Sequence, residues 1–188
     1  MKIFSTGKKV TLEEVLKNKE WRVDRLSDLA EQFPQRTLVS VKLNIPGPIK
    51  NNPYFQQIFL SIWPDLTRKS QEQKLFIERK TGPEGFLVCR SDADKVKQEM
   101  ITIEENQPLG RLFDLDVYDA ETGRQISRSE LGLPARKCFI CERPAKECAR
   151  SQRHNKEEIT QEIEKICEDY FDNNDECDEC NECNECGE

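Results

Sequence analysis

Long hydrophobic runs are missing from this 188-residue chain. Met1-Lys2-Ile3-Phe4 gives way at once to polar residues and two lysines, so no signal-peptide core forms. No later run approaches the ~20 apolar residues that span a bilayer. A soluble, cytoplasmic protein without a membrane partner is expected. Histidine is nearly absent: His154 is the only one, so any imidazole chemistry falls on a single residue. Aromatics are scarce where positive charge is dense. From Arg124 to Lys156 nine Lys or Arg stand against three Glu, with Phe139 as the single aromatic. That charge forms either a solvated face or a contact for a polyanion. A single-strand binder offers several stacking rings, which argues against nucleic acid and against a metal-knuckle nucleic-acid module.

Bases are absent from the last seventeen residues, Asp172 to Glu188, which hold three Asp and five Glu. This stretch accounts for the net charge of −7, because the remainder sums to +1. Within it, Cys177, Cys180, Cys183 and Cys186 recur every third residue. Thiolates at that density could hold zinc, copper or an iron–sulfur cluster. The bland reading is a disordered, self-repelling appendage, and that is the expectation: a folded domain over 1–171 and an acidic, Cys-rich tail over 172–188. Nine cysteines is an odd count in a chain without an export signal, so metal ligands or free thiols explain them better than a disulfide framework.

Thr11-Leu12-Glu13-Glu14 has capping-box form and predicts a helix to about Phe33, stopped by Pro34, with Leu12, Val15, Leu16, Leu26 and Leu29 on its buried face. Val39, Val41, Leu43 and Ile45 alternate with polar residues and predict a strand over 37–45. Tyr54, Phe55, Ile58, Phe59, Ile62 and Trp63 mark a second helix over 53–67, which Pro64 should kink or end. Strands over 74–80 and 86–90 joined by a Thr81–Gly85 turn follow, then a short helix over 92–99 and a strand over 100–104. Long helices with hairpin strands predict α+β: a single mixed sheet with flanking helices.

The chemistry gathers further along. In Pro108-Leu109-Gly110-Arg111-Leu112-Phe113-Asp114-Leu115-Asp116-Val117, strict alternation puts Phe113, Leu115 and Val117 on one face and Asp114 and Asp116 on the other. Neighbouring like charges repel unless a cation sits between them, and Mg²⁺ takes such oxygens together with substrate phosphates. The alternative is a strand with a wet, acidic face. Arg111 follows a glycine and either folds back towards phosphate or solvates the strand end. Arg128 and Arg136 add guanidinium groups suited to phosphate. Cys138, Cys141, Cys148 and His154 have the spacing C-x2-C-x6-C-x5-H, which could supply four ligands to tetrahedral Zn²⁺. His154 is equally a candidate general base or phosphate contact, and the set could be inert.

Several blocks together carry a family resemblance. In order they are Leu38-Val39-Ser40 before Pro46-Gly47-Pro48-Ile49-Lys50, then Gly82-Pro83-Glu84-Gly85, then the Pro108–Val117 block. Ser127-Arg128, Leu133-Pro134, Arg136-Lys137-Cys138, Cys141, Ala145, Cys148, Ala149-Arg150 and His154 complete the series. Over roughly Leu12 to Tyr170 the chain resembles apo-citrate lyase phosphoribosyl-dephospho-CoA transferase, also called citrate lyase holo-acyl-carrier-protein synthase. The resemblance implies a nucleotidyltransferase-type reaction in which a serine of the acyl carrier (gamma) subunit attacks triphosphoribosyl-dephospho-CoA and expels pyrophosphate. It implies Mg²⁺ on Asp114 and Asp116, with one carboxylate or His154 taking the serine proton. Lys50, Arg111, Arg128, Arg136 and Arg150 become candidate phosphate anchors, and Glu84 a residue that orients acceptor or substrate.

Overall fold

The computed structural model describes residues 2–69 and 72–181, leaving aside the side chains of 69 and 174–181. Helix α1, Leu12–Gln32, starts at the expected capping box: Thr11 Oγ1 accepts from the Glu14 amide at 3.2 Å while Glu14 Oε2 accepts from the Thr11 amide at 2.8 Å. Strand β1, Thr37–Leu43, leads to α2, Pro53–Lys69, and then to the hairpin of β2, Gln73–Arg79, and β3, Gly82–Cys89. Helix α3, Ala93–Asn106, and a 3-10 turn over Gly110–Leu112 precede β4, Phe113–Asp119, and the short β5, Gln125–Ile126. Two helices follow: α4, Ala145–Arg150, and α5, Lys156–Asn181. Among the described residues no helix is long and apolar enough to cross a membrane.

The sheet order is β2-β3-β1-β4-β5, and all four pairings are antiparallel. The expectation of α+β holds; the sheet is not mixed. Each helical crossover, β1-α2-β2 and β3-α3-β4, steps over one strand, so like-directed strands never become neighbours. This is the split β-α-β arrangement. Its helical face carries the main core, where Val39, Val41, Leu87, Leu115 and Val117 meet Phe55, Phe59, Met100 and, from α5, Ile163 and Cys167. The opposite face carries a smaller cluster beneath α1, built on Leu38, Phe86 and Val88 with Leu29, Trp21 and Leu26.

Three local readings change, and a fourth, at Pro64, is narrowed. Leu12 and Leu16 of α1 are 74% and 50% exposed, and the helix instead buries a stripe through Asn18 and Leu29, because the sheet face beneath it is partly charged. Pro64 does not end α2; the carbonyl it leaves without a donor belongs to Leu60, which is itself solvent-facing at 47% exposure. The expected strand over 100–104 is helix, since Val96, Met100 and Ile103 recur at helical spacing and pack into the core. Finally, Gly82-Pro83-Glu84-Gly85 is strand rather than turn. The hairpin turns at Lys80-Thr81 with Gly82 at φ +118°, and Pro83 lies beyond the last β1–β3 pair, Lys42↔Glu84. Gly85 is a glycine because a Cβ there would stand 2.4 Å from the Trp63 ring. The tail expected over 172–188 overlaps the end of α5, but its side chains from 174 and the whole of 182–188 lie outside the described residues.

Candidate active site

Alternation along β4 does what the sequence requires: Phe113, Leu115 and Val117 are buried, and Asp114 and Asp116 project from the other face. The cation between them is a side chain. Lys42 stands directly across from Asp114 in the β1–β4 register, and its Nζ lies 2.7 Å from Asp114 Oδ2 and 2.5 Å from Asp116 Oδ2. Gln125 Nε2 donates to the other Asp116 oxygen at 2.7 Å. Burial disfavours ionised Asp114, but the charge of Lys42, reinforced by Arg136 and Lys97, prevails and lowers its pKa. Burial likewise disfavours charged Lys42, and the two carboxylates outweigh it and raise its pKa. Asp114 is the more open carboxylate, 40% exposed against 20% for Asp116.

The pair opens on a 490 Å³ cleft along the edge of β4, where β5 is too short to cover residues 113–116. Arg136, Arg128, Lys97 and Lys146 line it together with Asn44 and both aspartates. Lys97, almost fully buried, donates to the Leu115 carbonyl at 2.8 Å, and burial lowers its pKa. Glu104, also buried, accepts from the Leu115 amide at 3.0 Å and pairs with Arg128, which also binds Glu105. Burial works against the charge on Arg128, but these two glutamates raise its pKa. The free edge of β4 is thus held by side chains that also face the cleft.

Arg136 and Arg111 lash the segment after β5 to the start of β4. Arg136 donates to the carbonyls of Arg111 and Phe113 at 2.7 and 2.6 Å, and Arg111 donates to those of Lys137 and Cys138 at 2.7 and 3.0 Å. Beyond them, one ligand atom each from Cys138, Cys141, Cys148 and His154 lies within 4.8 Å of the others. His154 Nε2 is 3.4 Å from Cys141 Sγ. Beside this cluster runs a second, mainly apolar groove of 830 Å³, lined by Phe139, Ala149 and Ile159 among others. It shares Asn44, Ala145 and Lys146 with the polar cleft, so the two are adjoining.

A family model described as apo-citrate lyase phosphoribosyl-dephospho-CoA transferase matches residues 10–170. The chain belongs to this family. The match runs from the residue before the α1 cap into α5 and takes in both clefts and the Cys/His cluster. Protein CitXG of Leuconostoc mesenteroides subsp. cremoris is 39% identical over 90% of this chain, which spans 38% of that longer protein. Two relatives of similar length carry the name probable apo-citrate lyase phosphoribosyl-dephospho-CoA transferase. One, from Vibrio cholerae serotype O1 (strain M66-2), is 38% identical over 86% of this chain and 93% of its own. The other, from Streptococcus pyogenes serotype M18 (strain MGAS8232), is 34% identical over 89% and 91%.

Of the residues the family resemblance singled out, Asp114, Asp116, Arg128 and Arg136 share the polar cleft. Lys50 sits elsewhere, donating to the Ile45 carbonyl, and burial lowers its pKa. Glu84 is buried under α1, where Asn18 Nδ2 donates at 2.6 Å and Arg22 grips both carboxylate oxygens at 2.7 and 2.9 Å. Arg150 is exposed at the end of α4. Sequence reasoning missed Lys42, Lys97 and Gln125, and it read Lys146 as part of a basic surface rather than of the cleft. For Lys42 the signal was there, since it shares the polar parity of β1 opposite Val39 and Val41. Lys97 stood out less, as a charge within the apolar stripe of α3.

Proposed function

We propose that this family member transfers the phosphoribosyl-dephospho-CoA group from its triphosphoribosyl precursor to a serine of the acyl carrier (gamma) subunit of citrate lyase, releasing pyrophosphate, in the cytoplasm. One observation carries the reading: an Asp-x-Asp strand pair opens on a cleft lined by two arginines and two lysines, next to a mainly apolar groove. The polar cleft suits a triphosphate. The adjoining groove suits the pantetheine arm of dephospho-CoA, an extended chain whose apolar methylene segments alternate with amides.

The donor set fits Mg²⁺, since Asp114 and Asp116 are hard oxygen ligands and Asp114 faces the opening of the cleft. When bound, Mg²⁺ supplies charge neutralisation at the triphosphate and so eases departure of pyrophosphate. Lys42 keeps Asp114 ionised and holds both carboxylates in place. Arg128, Arg136 and Lys146 bind phosphate oxygens, while Asn44 lines the passage between the two clefts. In the transfer the serine oxygen forms a bond to the α-phosphorus as the bond to pyrophosphate breaks. The serine proton goes to a carboxylate, for which Asp114 is the open and ionised choice. His154 is turned onto Cys141 and is assigned no proton. Nucleic acid is a poorer ligand for this surface, because Phe139, its one aromatic, packs against the main core with the Arg111 guanidinium 5.4 Å from its ring centre.

The test is the intact mass of apo carrier subunit after incubation with the protein, Mg²⁺ and triphosphoribosyl-dephospho-CoA. A gain equal to the prosthetic group with the parent chain, and none with Asp114→Asn, is expected. No gain with the parent would refute the assignment.

A further inference from the structure

The cysteine–histidine cluster has no part in the transfer chemistry above, yet it is the most organised set of soft ligands among the described residues. Cys138 and Cys141 come from a loop closed by the Lys137↔Pro144 bridge and by the Cys138 amide donating to the Arg143 carbonyl at 2.8 Å. Cys148 projects from α4, and His154 follows Gln152, whose positive φ of 47° turns the chain back towards the loop. Three separate pieces of backbone thus deliver four ligand atoms to one point. Cys141 Sγ and Cys148 Sγ are 3.5 Å apart, and His154 Nε2 is 3.4 Å from Cys141 Sγ. A tetrahedral ion with bonds of about 2.3 Å to sulfur and 2.0–2.1 Å to nitrogen sets these edges at roughly 3.8 and 3.6 Å. A disulfide accounts for two sulfurs at about 2.05 Å and leaves the third thiol and the imidazole without a role.

We infer that Cys138, Cys141, Cys148 and His154 bind one Zn²⁺ as a closed, structural site that fixes the wall shared by the two clefts. All four positions are filled by protein, which leaves none for water or substrate and separates this ion from a catalytic zinc. Its effect reaches the active site through backbone contacts. Arg111 holds the carbonyls of Lys137 and Cys138, and Arg136 holds those of Arg111 and Phe113, the residue before Asp114. Lys146, two residues before Cys148, faces both clefts. With the ion in place, Arg136 and Lys146 stand at fixed distances from the Asp114 carboxylate. Without it, the loop over 137–144 keeps its own hydrogen bonds, these arginine contacts and the packing of Phe139 on the core, but loses its tie to Cys148 and His154.

The experiment uses the full chain with Cys177, Cys180, Cys183 and Cys186 changed to Ser, which removes the tail as a competing ligand set. After dialysis against metal-free buffer, elemental analysis should find about one zinc per chain. Exchange with Co²⁺ should give the intense visible bands of a tetrahedral thiolate site. His154→Ala in that background should lose the ion, whereas His154→Cys should keep it and strengthen the sulfur-to-cobalt charge-transfer absorption. Chelation should lower the melting temperature and expose three thiols to a thiol reagent together. A tail-serine chain that carries no zinc and gives no tetrahedral cobalt spectrum would overturn the site, whatever its folding or transferase activity. Equal zinc content in the parent and His154→Ala chains would overturn the ligand set.

Discussion

Lys42 bridges two carboxylates whose mutual repulsion would otherwise make β4 costly to form, and this pairing fixes the pH behaviour of the site. Because the pKa of Asp114 is lowered in the folded chain, the stability it contributes is complete above the ordinary carboxylate value of about 3.9 and is lost as pH falls through the folded value. For Lys42, whose pKa is raised, the contribution is complete below about 10.4 and is lost as pH climbs through the folded value. Between those limits the pair is fully charged. Lys42→Met removes the cation that lowers the pKa of Asp114, so the acid limb of the transferase pH profile should move to higher pH. The check is kcat/KM for carrier modification measured across pH 4–9. An unmoved acid limb would mean that Lys42 does not hold Asp114 in its ionised form.

At the scale of elements, the join between α3 and β4 decides where the aspartates stand. The 3-10 turn over Gly110–Leu112 brings the chain against the end of α3, where a Cβ at Gly110 would lie 2.2 Å from the Ile103 carbonyl oxygen and 2.9 Å from that of Glu104. Backbone cannot yield there as a side-chain tip would. Gly110→Ala should therefore cost about 2–3 kcal/mol, read from urea unfolding at pH 7, by overpacking against main chain. Activity should fall with it, since β4 begins three residues later. Glu104 accepts from the Leu115 amide and pairs with Arg128, so the same helix end also sets one wall of the cleft. Glu84 works on the other side, anchoring α1 through Asn18 and Arg22, and one strand away from Asp114 it flanks Lys42 in the register.

For the whole molecule, charge is divided between a basic segment over 124–156 and an acidic end. On the proposed function, a basic surface beside the site would favour approach of an acidic acceptor and make association depend on salt. Arg143 is exposed in the Cys/His loop and lines neither cleft. Arg143→Glu should slow carrier association roughly threefold at low ionic strength, with the difference vanishing near 0.5 M salt. Stopped-flow or biosensor on-rates at the two salt concentrations provide the check. An equal on-rate at low salt would place the carrier elsewhere.

Where a signal was local, the sequence determined the outcome. The α1 capping box needs only residues three apart, and the parity of β4 needs only alternation, so both were legible, as was the spacing of the Cys/His set. Met100–Glu104 was not, because β-branched residues favour strand until the packing of α3 on the sheet makes helical periodicity decisive. Nor was the Lys42 bridge fully legible. Parity put Lys42 on the polar face of β1, but only the antiparallel pairing with β4 set it opposite Asp114. Glu84 read as part of a turn until pairing with β1 and coverage by α1 buried it. Strand register joins residues more than seventy positions apart, and no local pattern encodes which of them will meet.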